Sequence, residues 1–170
     1  MKITKTVINK YIGSSNKELT NAGICPTCFD RLTNHSVFGD DSKLVVYKDK
    51  DIECLFVGNP RAIGHMIIST QKHYQDLSEA PDRINKKVIS FAKQLMIIIK
   101  HVFGCERVYI CSMCDGPANH YHLQLIPRYP WEERGKENFV KPRQKYVFDK
   151  IKFNKVKILI NDYATKKYAK

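Results

Sequence analysis

The run His120-Tyr121-His122-Leu123-Gln124-Leu125-Ile126-Pro127-Arg128 concentrates the side chains best suited to chemistry. In an extended strand, side chains alternate between faces, so His120, His122 and Gln124 share one side while Tyr121, Leu123 and Leu125 share the other. At a rise of about 3.3 Å per residue, same-face neighbours lie roughly 6.6 Å apart, close enough for one strand to serve both a phosphate group and a metal ion. Two upstream stretches add to this. Cys25-Pro26-Thr27-Cys28 is a C-x-x-C pair, a spacing that offers two thiolates to a tetrahedral metal. Gly64-His65-Met66-Ile67-Ile68-Ser69-Thr70-Gln71-Lys72-His73 opens on a histidine, runs as a strand and ends beside a second histidine.

Taken in order, the cysteine pair, the Gly-His strand with its trailing histidine, a long helix and the H-x-H-x-Q strand resemble the histidine-triad (HIT) superfamily of nucleotidyl hydrolases and transferases, over roughly residues 25–140. The resemblance implies that His122 is the nucleophile, attacking the α-phosphorus of a nucleotide to form a covalent nucleotidyl-imidazole that a second acceptor resolves. Its other ring nitrogen is expected on a backbone carbonyl, which fixes the tautomer. His65 is expected to orient the reacting group. Gln124 stands where the commonest family pattern has a third histidine, and is similar to the galactose-1-phosphate uridylyltransferase and dinucleoside polyphosphate phosphorylase branch. Glutamine can donate hydrogen bonds to a phosphoryl oxygen but cannot hand over a proton, so the chemistry favours leaving groups that need none. A nucleoside or dinucleoside polyphosphate is therefore the expected substrate, with phosphate, a sugar phosphate or water as acceptor.

Further contacts are expected around the phosphate. Gly116 and Asn119, in the loop before the signature strand, are candidate donors to it, and Arg128 a candidate counter-charge. Val57 occupies a position where many relatives hold the ribose with Asp or Asn; Asn59 is the candidate substitute. Arg128, Arg134, Lys136, Lys141 and Arg143 form a basic cluster suited to guiding a polyphosphate tail. Asn138-Phe139 also resembles the phosphorylase-like members.

The resemblance further implies a structural zinc ion, with His73 and His120 completing the set begun by Cys25 and Cys28. Two alternatives stay open. Cys111-Ser112-Met113-Cys114 is a second C-x-x-C, giving a four-thiolate site with Cys25 and Cys28, and all these cysteines can equally be metal-free core residues.

The elements that must position these groups are an α+β arrangement: a five-stranded, mainly antiparallel sheet with a long covering helix. Leu44–Tyr47 and Ile52–Val57 read as a hairpin across Lys48-Asp49-Lys50-Asp51. His65–Thr70, Arg107–Ser112 and His120–Ile126 supply the remaining strands. Ile84, Val88, Phe91, Ala92, Leu95, Ile98, Ile99 and Val102 recur at helical spacing, and Gly104 is the expected C-cap. Apolar residues spread around Met96-Ile97-Ile98-Ile99, predicting burial on two sides; a helix set deep in the core and a subunit interface both satisfy this, and the interface is preferred because the family the chain resembles usually forms homodimers. Residues 1–24 are expected as an arm or short helix, residues 25–145 as the catalytic domain, and residues 146–170 as a basic extension packed on it, equally compatible with helix or strand.

At 170 residues the chain has the size of one domain with a real core. Its net charge of +12 favours polyanionic partners. Nucleic acid belongs to that class, but the lysines are dispersed and no recognition helix or stacking motif supports it. A nucleotide sensor without turnover is the other non-enzymatic reading. No apolar run suits a membrane span and Met1-Lys2-Ile3-Thr4-Lys5 opens no signal-peptide core, so a soluble, cytoplasmic protein without a membrane partner is expected. The six cysteines then fit metal ligation and reduced thiols better than disulfides.

Overall fold

The computed structural model of the chain describes residues 3–39, 41–113, 116, 118–133, 135, 142, 143, 145 and 148–168. Cys114 of the four-thiolate alternative, Arg134, Lys136 and Lys141 of the basic cluster, and Asn138-Phe139 lie outside the described residues.

Strands β1 (Val45–Lys48), β2 (Ile52–Phe56), β3 (Met66–Thr70), β4 (Arg107–Cys111) and β5 (His122–Arg128) form one antiparallel sheet in the order β1-β2-β3-β5-β4. The hairpin closes because Asp49 Oδ1 accepts the backbone N–H groups of Asp51 and Ile52 at 2.8 and 3.0 Å, an aspartate side chain standing in for backbone in a turn. Helix α4 (Asp82–Phe103) links β3 to β4 and stops where Gly104, at φ +70°, takes the left-handed conformation that a side chain would resist. Val46, Cys54, Met66, Ile68, Val108, Leu123 and Leu125 bury one sheet face together with Ile84, Val88, Phe91, Leu95 and Ile99 of α4. Strand alternation turns Glu53, Ser69, His122 and Gln124 to the opposite face.

The chain ends in helix α5 (Lys150–Tyr168), which packs along α4 and β1. Tyr163 meets the Phe91 ring edge-on at 5.5 Å, and Asn161 donates to the Val46 carbonyl at 2.8 Å. The spread of apolar residues on α4 thus has an explanation inside a single chain, because α5 covers its second side, while Ile89 and Ile97 stay exposed. Ahead of the sheet, α1 (Lys5–Tyr11), α2 (Asn16–Asn21) and α3 (Pro26–Leu32) enclose a separate small core of Leu19, Ile24 and Phe29. A reciprocal Ser15–Glu18 capping box starts α2, and Pro26 occupies the first turn of α3, where its missing N–H costs nothing. Among the described residues, no helix is long and apolar enough to cross a membrane.

The β1–β2 turn is fastened to α4 by charge. Arg83 grips Asp51 through two hydrogen bonds of 2.8 and 3.0 Å, and Lys87 reaches Asp51 and Asp49. The Arg83 hydrogen bonds, against the cost of burial and with help from Lys87, hold the Asp51 pKa at about 2 rather than 3.8. A folded-state pKa below the unfolded one stabilises above pH 3.8, and that stability is lost as pH falls toward 2. Because the Arg83 side chain is 66% exposed, solvent screening leaves about 1 kcal/mol of this shift as stability. Asp51→Asn should therefore lower the neutral-pH melting temperature by about 2–4 °C and flatten the wild-type decline in acid. Matching melts at pH 6 and equal acid sensitivity would contradict this account of the turn.

Candidate active site and metal centre

Two chemical sites share the polar face of the sheet. In the first, Cys25, Cys28, His73 and His120 bring one ligand atom each to within 4.8 Å of one another. Cys25 caps helix α3 and Cys28 lies in its first turn, with the Cys28 N–H donating to Cys25 Sγ at 3.4 Å. His120 Nδ1 lies 3.5 Å from Cys25 Sγ and 3.4 Å from Cys28 Sγ, and His73 Nδ1 lies 3.5 Å from Cys28 Sγ. A tetrahedral zinc ion, with bonds of about 2.3 Å to sulfur and about 2.0 Å to nitrogen, sets sulfur–nitrogen separations near 3.5 Å.

The surrounding hydrogen bonds suit the same role. His120 Nε2 donates to the Thr70 carbonyl at 2.7 Å, which leaves Nδ1 as the lone-pair nitrogen facing the sulfurs. The Thr70 carbonyl also accepts from Arg31 Nη1 at 2.8 Å, and Arg31 continues to Ser69 and Glu53. Hydrogen bonding between the two sulfurs pushes the Cys25 pKa down and that of Cys28 up, so Cys25 is the more readily ionised of the two. The donor set is compatible with zinc. Cys111, on edge strand β4, is not part of the group.

In the second site, His122 and Gln124 project from β5 in register with Ser69 and Ile67 of β3. His122 Nδ1 donates to the His120 carbonyl at 2.7 Å, so Nε2 carries the free lone pair. Burial holds the His122 pKa below its ordinary 6.5, opposed by that hydrogen bond, and the neutral ring is the resting form. His65 immediately precedes β3 and is buried, its Nδ1 accepting the Arg61 backbone N–H at 3.1 Å. The proton therefore sits on Nε2, which faces the side-chain oxygen of Gln124. Neither atom makes a hydrogen bond of ordinary length, although their approach favours the protonated ring. Burial still dominates and, with the Arg143 and Arg61 charges, pushes the His65 pKa down to about 3. An oxygen turned toward His65 leaves the Gln124 amide N–H groups for a ligand on the open side.

The remaining expected residues divide. His120 and Tyr121 lie ahead of β5 rather than inside it, because Tyr121 N–H bonds to the Tyr74 carbonyl and the His120 ring turns into the cysteine group. Arg128 is a correction. It lies six residues along β5 from His122, about 20 Å away at strand rise. There its guanidinium bonds to Glu132 and the Glu133 carbonyl over the Tyr109 ring. It is spoken for and too distant to touch a phosphate at His122. Asn119 donates to the Gln75 carbonyl, which commits one of its two amide hydrogens. Gly116 has φ +80° and backs onto Thr20 of α2, where an added Cβ would come within 3.3 Å. Asn59 is exposed in the β2–β3 connection, its carbonyl accepting from Arg143 at 2.9 Å. Two functional candidates escaped the sequence reading. Arg31 follows Cys28 by three residues, a helical spacing that places both on one side of α3. Arg61 carried no local signal.

With this geometry in hand, comparison with known proteins is specific. A family model described as the HIT domain matches residues 39–131. An uncharacterized HIT-like protein of Methanocaldococcus jannaschii is 30% identical over 95 residues, spanning 54% of this chain and 73% of that one. Among solved structures, a zinc-bound histidine triad family protein from Mycobacterium smegmatis superposes with a TM-score of 0.58 at 12% identity, covering 73% of this chain and 88% of that one. A Plasmodium falciparum diadenosine triphosphate hydrolase, in complex with Cyclomarin A, superposes with a TM-score of 0.53 at 16% identity, covering 75% and 80%.

Proposed function

Because the chain belongs to the HIT domain family, we propose that it is a nucleotidyltransferase or phosphorylase acting on nucleoside polyphosphates through a covalent nucleotidyl-His122 intermediate. The observation that carries the reading is the hydrogen bond from His122 Nδ1 to the His120 carbonyl, which leaves Nε2 unprotonated on the open face beside Gln124. The Nε2 lone pair forms a bond to the α-phosphorus while the bond from that phosphorus to the bridging oxygen breaks. The departing phosphate chain takes the electron pair. In the second step an acceptor oxygen bonds to the same phosphorus and the nitrogen–phosphorus bond breaks, returning neutral His122 once the acceptor's proton is lost.

Gln124 supports this choice of substrate. Its amide can hold a phosphoryl oxygen as negative charge builds, but it has no proton to give, and a departing phosphate chain needs none. His65 positions that amide from behind. The likeness in fold to a diadenosine triphosphate hydrolase makes dinucleoside polyphosphates the natural first substrates and water the rival acceptor. Cys25, Cys28, His73 and His120 would hold zinc as a structural tie between α3 and the start of β5.

Incubation with diadenosine tetraphosphate, with and without inorganic phosphate, tests the proposal. Nucleoside diphosphate release that depends on phosphate is the expected result. Equal turnover without phosphate would replace the phosphorylase by a hydrolase, and absence of both turnover and a His122 adduct would reject the enzymatic reading.

A further inference from the structure

Helices α4 and α5 lie side by side on the sheet face opposite to the one that carries His122 and Gln124. They run antiparallel: Lys152, near the start of α5, sits over the ring of Phe103 at the end of α4, and Tyr163 hydroxyl meets Ser90 Oγ at 2.8 Å further on. A helix lying on a sheet needs one apolar stripe, facing the core. Each of these carries a second. Ile89 and Ile97 on α4, and Ile151 and Ile158 on α5, are all at least half exposed.

Lysines fill the gaps between them. Lys86, Ile89, Lys93, Ile97 and Lys100 follow one another at steps of three and four residues, so they form a single line along α4, and Ile151, Lys155 and Ile158 do the same on α5. Helix α5 carries six lysines against one carboxylate, Asp162. Among the described residues, Lys86, Lys93, Lys100 and Lys155 make no ion pair.

Lysines without counter-charges call for an anionic partner, and isoleucines set among them for one that is apolar just beneath its charged surface. A bilayer containing anionic lipid is built this way. Isoleucine enters the boundary below the headgroups, while the long lysine stems reach back to the phosphates. Other occupants fit less of the pattern. A second copy meeting this face about a two-fold axis would bring lysine rows against lysine rows. A nucleic acid would engage the lysines but leave the isoleucines against phosphate, whereas surfaces that read or stack on bases use arginine and aromatic rings.

We infer that the exposed face of α4 and α5 is a docking surface for an anionic lipid bilayer, on which the protein lies with the His122 side of its sheet toward solution. Adsorption of this kind needs no apolar run of spanning length, so the lack of one among the described residues does not weigh against a membrane partner. His122 lies across the sheet, and binding at this face does not depend on its chemistry.

The test is sedimentation of the full chain with vesicles of phosphatidylcholine, alone and mixed with phosphatidylserine, comparing wild type with Ile97→Gln, Ile158→Gln, Lys93→Gln and Lys155→Gln. All four positions are exposed on helices and glutamine is a good helix former, so circular dichroism melts should match wild type. The protein should pellet with the anionic vesicles and not the neutral ones, and less so as salt rises. Each lysine variant should lower the partition constant about fivefold and each isoleucine variant about tenfold. Anionic-vesicle binding that ignores the isoleucine variants would reduce the face to diffuse charge and overturn the inference. Failure to bind, or equal binding to neutral vesicles, would overturn it too. Sedimentation equilibrium showing a dimer lost in Ile97→Gln would then assign the face to a second copy, and salt-sensitive binding to a DNA duplex weakened by Lys93→Gln would assign it to nucleic acid.

Discussion

Replacing His122 by alanine should lower the rate of nucleotidyl transfer by about 10⁵-fold and abolish the covalent adduct, because the proposed intermediate is a bond from its Nε2 to phosphorus. Loss of a group that only stabilises developing charge costs far less, and Gln124→Ala should fall by about 10²- to 10³-fold while still trapping the adduct. The contrast distinguishes a nucleophile from its supporting cast. His122 is half-buried, and the alanine variant forfeits one hydrogen bond to the His120 carbonyl, worth about 1 kcal/mol, so the variant should fold and melt close to wild type. Intact-protein mass spectrometry after rapid mixing with diadenosine tetraphosphate reads the outcome directly. An adduct of the same mass on His122→Ala would move the nucleophile elsewhere, and His65 is poorly suited to replace it: its Nδ1 is occupied by Arg61 and its Nε2 carries the proton.

The sheet and α4 were legible in the sequence because each obeys a single period. Leu123 and Leu125 alternate with His122 and Gln124, and the apolar positions from Ile84 to Ile99 recur at three and four residues. Helix α5 was not legible for a reason visible in its side chains. Phe153, Val156, Ile160 and Ala164 form a buried stripe at helical spacing, but Ile151 and Ile158 are apolar and 82% and 61% exposed, which blurs it. The start of β5 was misread for a different reason. Strand alternation alone carries the pattern back through His120, whereas His120 is held outside the strand by the cysteine group and by the Thr70 carbonyl. Arg128 shows the converse error, in which residues adjacent in sequence were treated as adjacent in space although an extended strand carries them apart fastest. The contact between Arg143 and the Asn59 carbonyl could not be read in advance, because 84 residues separate them and the fold alone brings them together.

The cysteine group supports the second large effect. Purified protein should carry one zinc ion per chain, and Cys28→Ser should lose it, with a fall in stability on the order of 4 kcal/mol and in melting temperature of about 10 °C. Serine nearly matches cysteine in size, and Cys28 is only half-buried, so packing loss cannot account for a drop of that size. The ion would join α3 to the residue whose carbonyl fixes His122, since His120 contributes its ring to the group and its backbone oxygen to His122 Nδ1. Metal loss should therefore reach the chemistry through position: once the carbonyl is free to move, His122 loses its fixed tautomer, and adduct formation should slow by about 10- to 100-fold without a change in which residue is labelled. Cys111→Ser serves as the control, because Cys111 stands on β4 outside the group, and it should retain both metal and melting temperature. Zinc released by Cys111→Ser and kept by His73→Ala would reassign the ligands to the second cysteine pair. Wild-type protein purified without any metal, melting the same with and without a chelator, would reduce the group to core thiols and leave Arg31, with its hydrogen bonds to Glu53, Ser69 and the Thr70 carbonyl, as a tie between α3 and the sheet.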